Sequence, residues 1–194
     1  MAELPIITVP DPVLREKAQP VERIDEGVKT MLENMRATMR AAKGIGLAAN
    51  QVGHLQRLII CHVPDDWWTY GEEEGDGVVR VEGLRGQDEN PAPPLLMVNP
   101  EIVWASEKKS VYEEGCLSIP QQYADVIRPA EVKVRYRDTA GQEQIVQAAG
   151  LLSHCVQHEL DHLNGVLFFD YISKMKRDMM IKRVQKMKKQ DGLL

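Results

Sequence analysis

Gln157-His158-Glu159-Leu160-Asp161-His162 is the stretch on which the fold turns. It contains the pattern H-E-x-x-H. Four residues are just over one helical turn, so on a helix both imidazoles project from one face and can hold one metal ion together. Glu159, beside the first histidine, reaches a water on that ion without being a ligand itself. With five histidines in 194 residues, a chance match is on the order of one in a hundred, so coincidence is the weaker reading. Apolar residues recur at helical spacing from about Ala148 to Leu163, and Asn164-Gly165 is a left-handed stop. The spacing therefore predicts a helix over that range. Asp161 has two readings, a residue that orients a ligand imidazole or a solvated acid on the helix surface, the second being favoured.

A catalytic site of this type uses three protein ligands and keeps one position open for water. Residues 163–194 contain no His, Glu or Cys, so the third ligand lies elsewhere. The candidates are Cys61, Cys116, Cys155, His54, His62 and His154. Cys155 is seven residues from His162, roughly 10 Å along a helix. A cysteine cannot span that while keeping a metal bond of about 2.3 Å. His154 meets the same obstacle, and both read as packing around the site. Cys61 and His62 fall within a strand pattern. Cys116 follows Gly115 and precedes Pro120, which reads as a local turn able to present a thiolate. A thiolate ligand suits a borderline metal and makes the site oxidisable.

Outward from the motif, Asp25 caps a helix with Val28, Met31, Leu32, Met35 and Met39 at helical spacing, ending near Lys43-Gly44. Gly44 to Gln51 reads as a glycine-rich turn. Strand patterns follow at Leu58–Val63, Leu95–Val98, Ile102–Trp104, Glu131–Tyr136 and Gln144–Gln147, with a turn at Asp138–Gly141. Ser173 to Lys189 is a basic amphipathic helix with Met175, Met179 and Val184 facing the core. The class is α+β: mainly antiparallel strands around a central HExxH helix, with an early helix and a C-terminal helix. Residues 1–173 form the catalytic domain and 174–194 the basic helix and tail. Residues 64–94 carry nine acidic and two basic residues, which predicts an inserted acidic surface loop.

Net charge is −5 and 43% of residues are hydrophobic, which fits one globular domain and argues against a general DNA or RNA binder. The longest apolar runs are four residues, against about 20 for a membrane span and about 7–15 for a signal-peptide core. No membrane association is expected. Three widely spaced cysteines do not make a disulfide framework, so a reducing, cytoplasmic setting is the expectation.

Three separated segments, Gly44-Ile45-Gly46-Leu47-Ala48-Ala49-Asn50-Gln51, Glu114-Gly115-Cys116-Leu117-Ser118 and Gln157-His158-Glu159-Leu160-Asp161-His162, resemble in this order the signature motifs of bacterial peptide deformylases. Pro10-Asp11-Pro12-Val13-Leu14-Arg15 is similar too, and the likeness runs from about Leu4 to Ser173. The resemblance implies that Cys116, His158 and His162 are the metal ligands. It implies Glu159 as general base and acid, with Gln51 and the backbone N–H of Leu117 as oxyanion donors. Ile45, Gly46, Glu114, Gly115, Leu151 and Cys155 would contact substrate. It implies Fe²⁺ as native metal, with Zn²⁺, Ni²⁺ or Co²⁺ able to substitute. The expected reaction is attack by metal-bound hydroxide on the formyl carbon of an N-formylmethionyl peptide, releasing formate in the bacterial cytoplasm. The alternative is an HExxH-type zinc endopeptidase. The basic C-terminal helix, with eight Lys or Arg, would dock to the ribosome. Two positions depart from the family pattern. Tyr123 stands where many members carry arginine, and His154 stands where a small or apolar residue is common. The 64–94 segment is also longer than in compact members.

Overall fold

The computed structural model describes residues 2–63, 78–80 and 93–190. The described residues form strands β1 (Gly46–Ala48), β2 (Leu58–Cys61), β3 (Val78–Arg80), β4 (Leu95–Ala105), β5 (Lys109–Cys116), β6 (Ile119–Pro129), β7 (Glu131–Arg137) and β8 (Glu143–Ala149). They also form helices α1 (Glu26–Ala41), α2 (Gly150–Leu163) and α3 (Lys174–Gln190). Five strands make one sheet in the order β1-β2-β4-β7-β8, and β3-β5-β6 make a second. Every pairing is antiparallel except β3 with β5. The class is α+β.

Alternation along β2 explains how the larger sheet is covered. Leu58 and Ile60 belong to the core shared with Val28, Leu32, Met35 and Met39 of α1. Ile59 and Cys61 belong to the core shared with Leu151, Leu152, Val156 and Leu160 of α2. Successive side chains of a strand point to opposite faces, so all four residues of β2 are buried between the two helices. That double burial is why Leu58–Cys61 reads as an unbroken apolar run. Helix α1 begins where the Asp25 carboxylate accepts the Val28 N–H at 3.0 Å, satisfying one of the orphan donors of a helix start.

Helix α2 starts at Gly150, two residues later than its apolar spacing suggests. It ends with Gly165 at φ 72°. The Gly165 N–H donates to the His162 carbonyl at 3.0 Å, and the Val166 N–H to the Asp161 carbonyl at 2.9 Å. This pair of bonds closes the helix and needs a residue without a Cβ at the left-handed position. Every residue of α2 except Asp161 is buried. Its polar side chains therefore require partners within the protein. Gln157, for example, donates to the Pro129 carbonyl at 3.0 Å.

Several expectations differ from what is formed. Part of the glycine-rich segment is strand β1, paired to β2, followed by a 3₁₀ turn at Ala49–Val52. The segments expected as separate strands at Leu95–Val98 and Ile102–Trp104 are one strand, β4, with register shifts between Val98 and Glu101 and between Ile102 and Trp104. Cys116 does flank a turn, Leu117-Ser118, but that turn is the tip of a hairpin. Cys116 itself ends β5, which pairs with β6. In α3 the side chains that enter the core are Met180 and Val184, packed with Val9, Ile119, Phe168 and Phe169. Met175 and Met179 are 70% and 46% exposed, because they lie off that i, i+4 stripe. Most of the expected 64–94 insertion lies outside the described residues. Val78–Arg80 within it is a strand rather than loop, parallel to β5.

Candidate metal centre

The site is built by β5 lying against α2. Ser110, Tyr112, Glu114 and Cys116 alternate along β5 and share one face. His154, His158 and His162 recur every fourth residue of α2 and also share a face. Two residues of strand advance about 6.6 Å, and four residues of helix about 6 Å. From Glu114 to Cys116 the strand therefore keeps step with His158 to His162, whereas Ser110 meets His154 across a strand interval twice as long. The Ser110 hydroxyl lies 2.9 Å from His154 Nε2, Glu114 Oε2 lies 2.8 Å from His158 Nδ1, and Cys116 Sγ lies 3.2 Å from His162 Nε2.

Cys116, His158 and His162 each bring one ligand atom to within 4.8 Å of the others. Among the described residues this is the one such group of three. The donor chemistry fits a borderline divalent metal: one sulfur and two imidazole nitrogens, with a side left open. His162 Nδ1 and Glu159 Oε2 are buried without a hydrogen-bond partner among the described residues. Burial pushes His162 well below its ordinary value. It is thereby kept neutral, as a ligand must be.

Glu114 is 3% exposed, and its carboxylate is fully engaged. Arg128 approaches it with Nε at 2.5 Å and a terminal nitrogen at 2.9 Å. His154 Nδ1 lies 3.2 Å away. Burial alone would push this carboxyl up, but the hydrogen bonds from Arg128, His154 and His158 hold it well below the ordinary carboxylate range. An ionised Glu114 keeps a proton on His158 Nδ1 and turns the Nε2 lone pair toward Cys116 and His162. Asp161 follows neither of its two readings. Its carboxylate accepts from Arg128 at 2.7 Å and from the Tyr171 hydroxyl at 2.9 Å. Arg128 is thus the residue that sequence reasoning missed. The alternating β5 pattern Ser-x-Tyr-x-Glu-x-Cys, set against His-x3-His-x3-His, is the signal that could have exposed the pairing of strand and helix.

Gln51 is fixed by its oxygen, which accepts the Ala48 N–H at 2.8 Å. Its NH₂ therefore faces the site, 3.5 Å from Cys116 Sγ and 3.3 Å from the Ser118 hydroxyl. Glu159 is 4% exposed, and burial pushes its carboxyl up to about 7. Gly46 makes room for it, since a Cβ there would overlap the Glu159 carboxylate and approach Cys155 Sγ to 2.9 Å. A cavity of about 490 Å³ opens onto these groups. Gln51, Cys116, Leu117, His158 and Glu159 line its reactive side. Ile45, Gly46, Glu114, Gly115, Leu151 and Cys155 line it as well. His162 stands behind Cys116, 1% exposed. Tyr123, 61% exposed, covers Gly115 at the mouth, where a Cβ would come within 2.6 Å of the ring.

A helix-borne H-E-x-x-H with a cysteine sulfur drawn in from a neighbouring strand defines a class, the metal-dependent hydrolases built on this helix. The model of the family described as "Polypeptide deformylase" matches residues 3–178. The chain belongs to that family. It is 49% identical over 188 residues to a peptide deformylase of Rhizobium meliloti, covering 97% of this chain and 95% of that one. It is 47% identical to one from Brucella suis, covering 98% and 96%. Among solved structures, peptide deformylase from Ehrlichia chaffeensis superposes with a TM-score of 0.83 at 37% identity, covering 98% of this chain and 99% of that one. The same enzyme in complex with actinonin superposes at 0.82 and 38% identity, covering 96% and 98%. The endopeptidase alternative is not favoured.

Proposed function

We propose that this chain removes the formyl group from the N-terminal formylmethionine of newly made proteins, with Cys116, His158 and His162 holding the metal. The observation that carries this reading is the convergence of those three ligand atoms beside Glu159 and the Gln51 amide. The overall reaction consumes one water and yields formate and the free amine. Bound among the three ligands, the ion supplies Lewis acidity, lowering the pKa of water toward neutrality. Fe²⁺ is the native ion of this proposal, with Zn²⁺, Ni²⁺ or Co²⁺ able to replace it, and the bacterial cytoplasm keeps the thiolate reduced.

The chain's own groups do the rest. Glu159 accepts a proton as water adds to the formyl carbon and returns one to the leaving nitrogen. Gln51 Nε2 donates to the oxygen that gains negative charge, joined by the Leu117 N–H. Loss of one such donor costs about 3–4 kcal/mol of barrier in comparable sites. Gly46 and Gly115 contribute backbone contacts to the peptide, and Ile45, Leu151, Cys155 and His158 border the methionine side chain. Glu114 acts by holding His158.

Residues 1–173 are the catalytic unit in this proposal. The basic helix that follows docks to ribosomal RNA, and neutralising its lysines and arginines weakens ribosome co-sedimentation in a salt-dependent way; unchanged co-sedimentation would refute the docking. The deciding experiment is anaerobic purification, metal analysis and formate release from a formyl-Met peptide. Cys116→Ala should lose metal affinity. Cleavage inside an unformylated peptide would point instead to an endopeptidase, and full-stoichiometry metal in Cys116→Ala would break the ligand assignment.

A further inference from the structure

The cavity runs along one face of α2. Leu151, His154, Cys155, His158 and Glu159 all line it, and their spacing of i, i+3, i+4, i+7 and i+8 is that of a single helical face. Seven residues separate Leu151 from His158, so the cavity reaches roughly 10 Å away from the reacting end. His154 stands between these ends and is 1% exposed.

Both nitrogens of the His154 ring are spent on the protein. Nδ1 lies 3.2 Å from Glu114 Oε1 and Nε2 lies 2.9 Å from the Ser110 hydroxyl. Glu114 is ionised and only accepts, so Nδ1 carries the proton and Nε2 accepts from Ser110. What the ring presents to the cavity is therefore carbon. The Tyr112 ring lies beside it, centroids 5.8 Å apart at 59°. Ser110 is fully buried behind. Two tethers fix the imidazole so that it cannot swing aside for a larger ligand.

We infer that His154 is a specificity-determining residue: its tethered ring closes the inner part of the cavity and sets the upper size of the side chain borne by the formylated residue. This rests on the deformylase reading and assigns the residue that enforces its substrate choice. Removing the ring extends the cavity toward Ser110, so larger first side chains gain relative to methionine. A residue acting only through Glu114 would instead slow every substrate alike, whatever its side chain.

The test uses the metal-loaded full chain with His154→Ala and His154→Asn, the second of which keeps a donor toward Glu114 while removing the ring. kcat/KM is measured for formyl-Met and formyl-Phe tripeptides, and calorimetry gives Kd for the matching unformylated peptides. In both variants the Phe/Met ratio of kcat/KM should rise at least about tenfold, the scale set by pocket contacts of this size. The Phe peptide should tighten relative to the Met peptide in parallel. A Phe/Met ratio unchanged within about twofold, with all rates lowered together in His154→Ala and restored in His154→Asn, would overturn the inference. If the unsubstituted chain releases no formate from any peptide, the function itself fails, and the calorimetric ranking still decides whether His154 limits side-chain size.

Discussion

Glu114→Gln tests the side-chain network behind the metal ligands. Glu114 accepts four hydrogen bonds, two from Arg128 and one each from His154 and His158. Glutamine offers one oxygen and one NH₂. Whichever way it turns, its NH₂ meets two other donors, a guanidinium N–H and the imidazole N–H of either His154 or His158. Arg128 is 3% exposed and loses a bidentate ion-pair partner. Breaking a buried pair by removing one partner costs about 3–5 kcal/mol. Arg128 keeps Asp161 at 2.7 Å, so the cost falls near the lower end, about 3 kcal/mol. For a chain of this size each kcal/mol moves Tm by about 2–4 °C, giving a fall of about 6–12 °C. His158 faces either the NH₂ or a neutral, weaker acceptor in place of the carboxylate that fixes its tautomer, so metal affinity should fall about 10–100-fold. Differential scanning calorimetry and metal competition against a chelator read the two effects separately. A Tm within about 2 °C of the parent, with metal affinity unchanged, would refute the reasoning.

Glu159→Ala should keep its metal and lose about 10²–10⁴-fold in formate release, the range of a general acid–base group; a substantially active variant would remove Glu159 from that role. Gly46→Ala adds a Cβ that overlaps the Glu159 carboxylate. It should lower kcat about 100-fold, since a displacement of about 1 Å costs that much, with an unchanged circular dichroism spectrum. Asp170 supplies a pH-dependent stability. Burial pushes its carboxyl up, but Arg15 and the Leu167 N–H outweigh that and hold it below its ordinary 3.8. A carboxyl whose folded value is lowered stabilises the fold above its unfolded value, and that stability is lost as pH falls through the folded value. Arg15→Leu should therefore be less stable than the parent at neutral pH, and the gap should narrow in denaturant titrations below about pH 4. A gap independent of pH would assign Arg15 to packing over Phe169 rather than to charge.

The helices were largely legible because their signals are local. Asp25 announces α1, and Asn164-Gly165 closes α2 within one turn of its last apolar residue. The β5–β6 hairpin was not, although it carries Cys116. Its inward residues Ser110, Glu114 and Arg128 are polar, so the alternation that marks a half-buried strand is inverted. Their burial is tolerated only because α2 supplies matching partners, which the local sequence cannot display. The same holds for Asp161, whose companion Arg128 is 33 residues away. Family resemblance is what singles out all three candidate ligands. By spacing alone the two histidines stood out, while the cysteine was one of several candidates. In α3 the apolar residues are sparse among eight basic ones, so periodicity could not decide which methionines turn inward.

The matched advance of β5 and α2 makes the first segment intolerant of changes in length. Deleting one residue between Tyr112 and Cys116 would swap inner and outer positions for the part of the strand beyond the cut. Deleting two would restore the facing but slide the thiol back one rung, opposite His158 instead of His162. The three residues from Glu114 to Cys116, set against the four-residue step from His158 to His162, therefore behave as a fixed ruler.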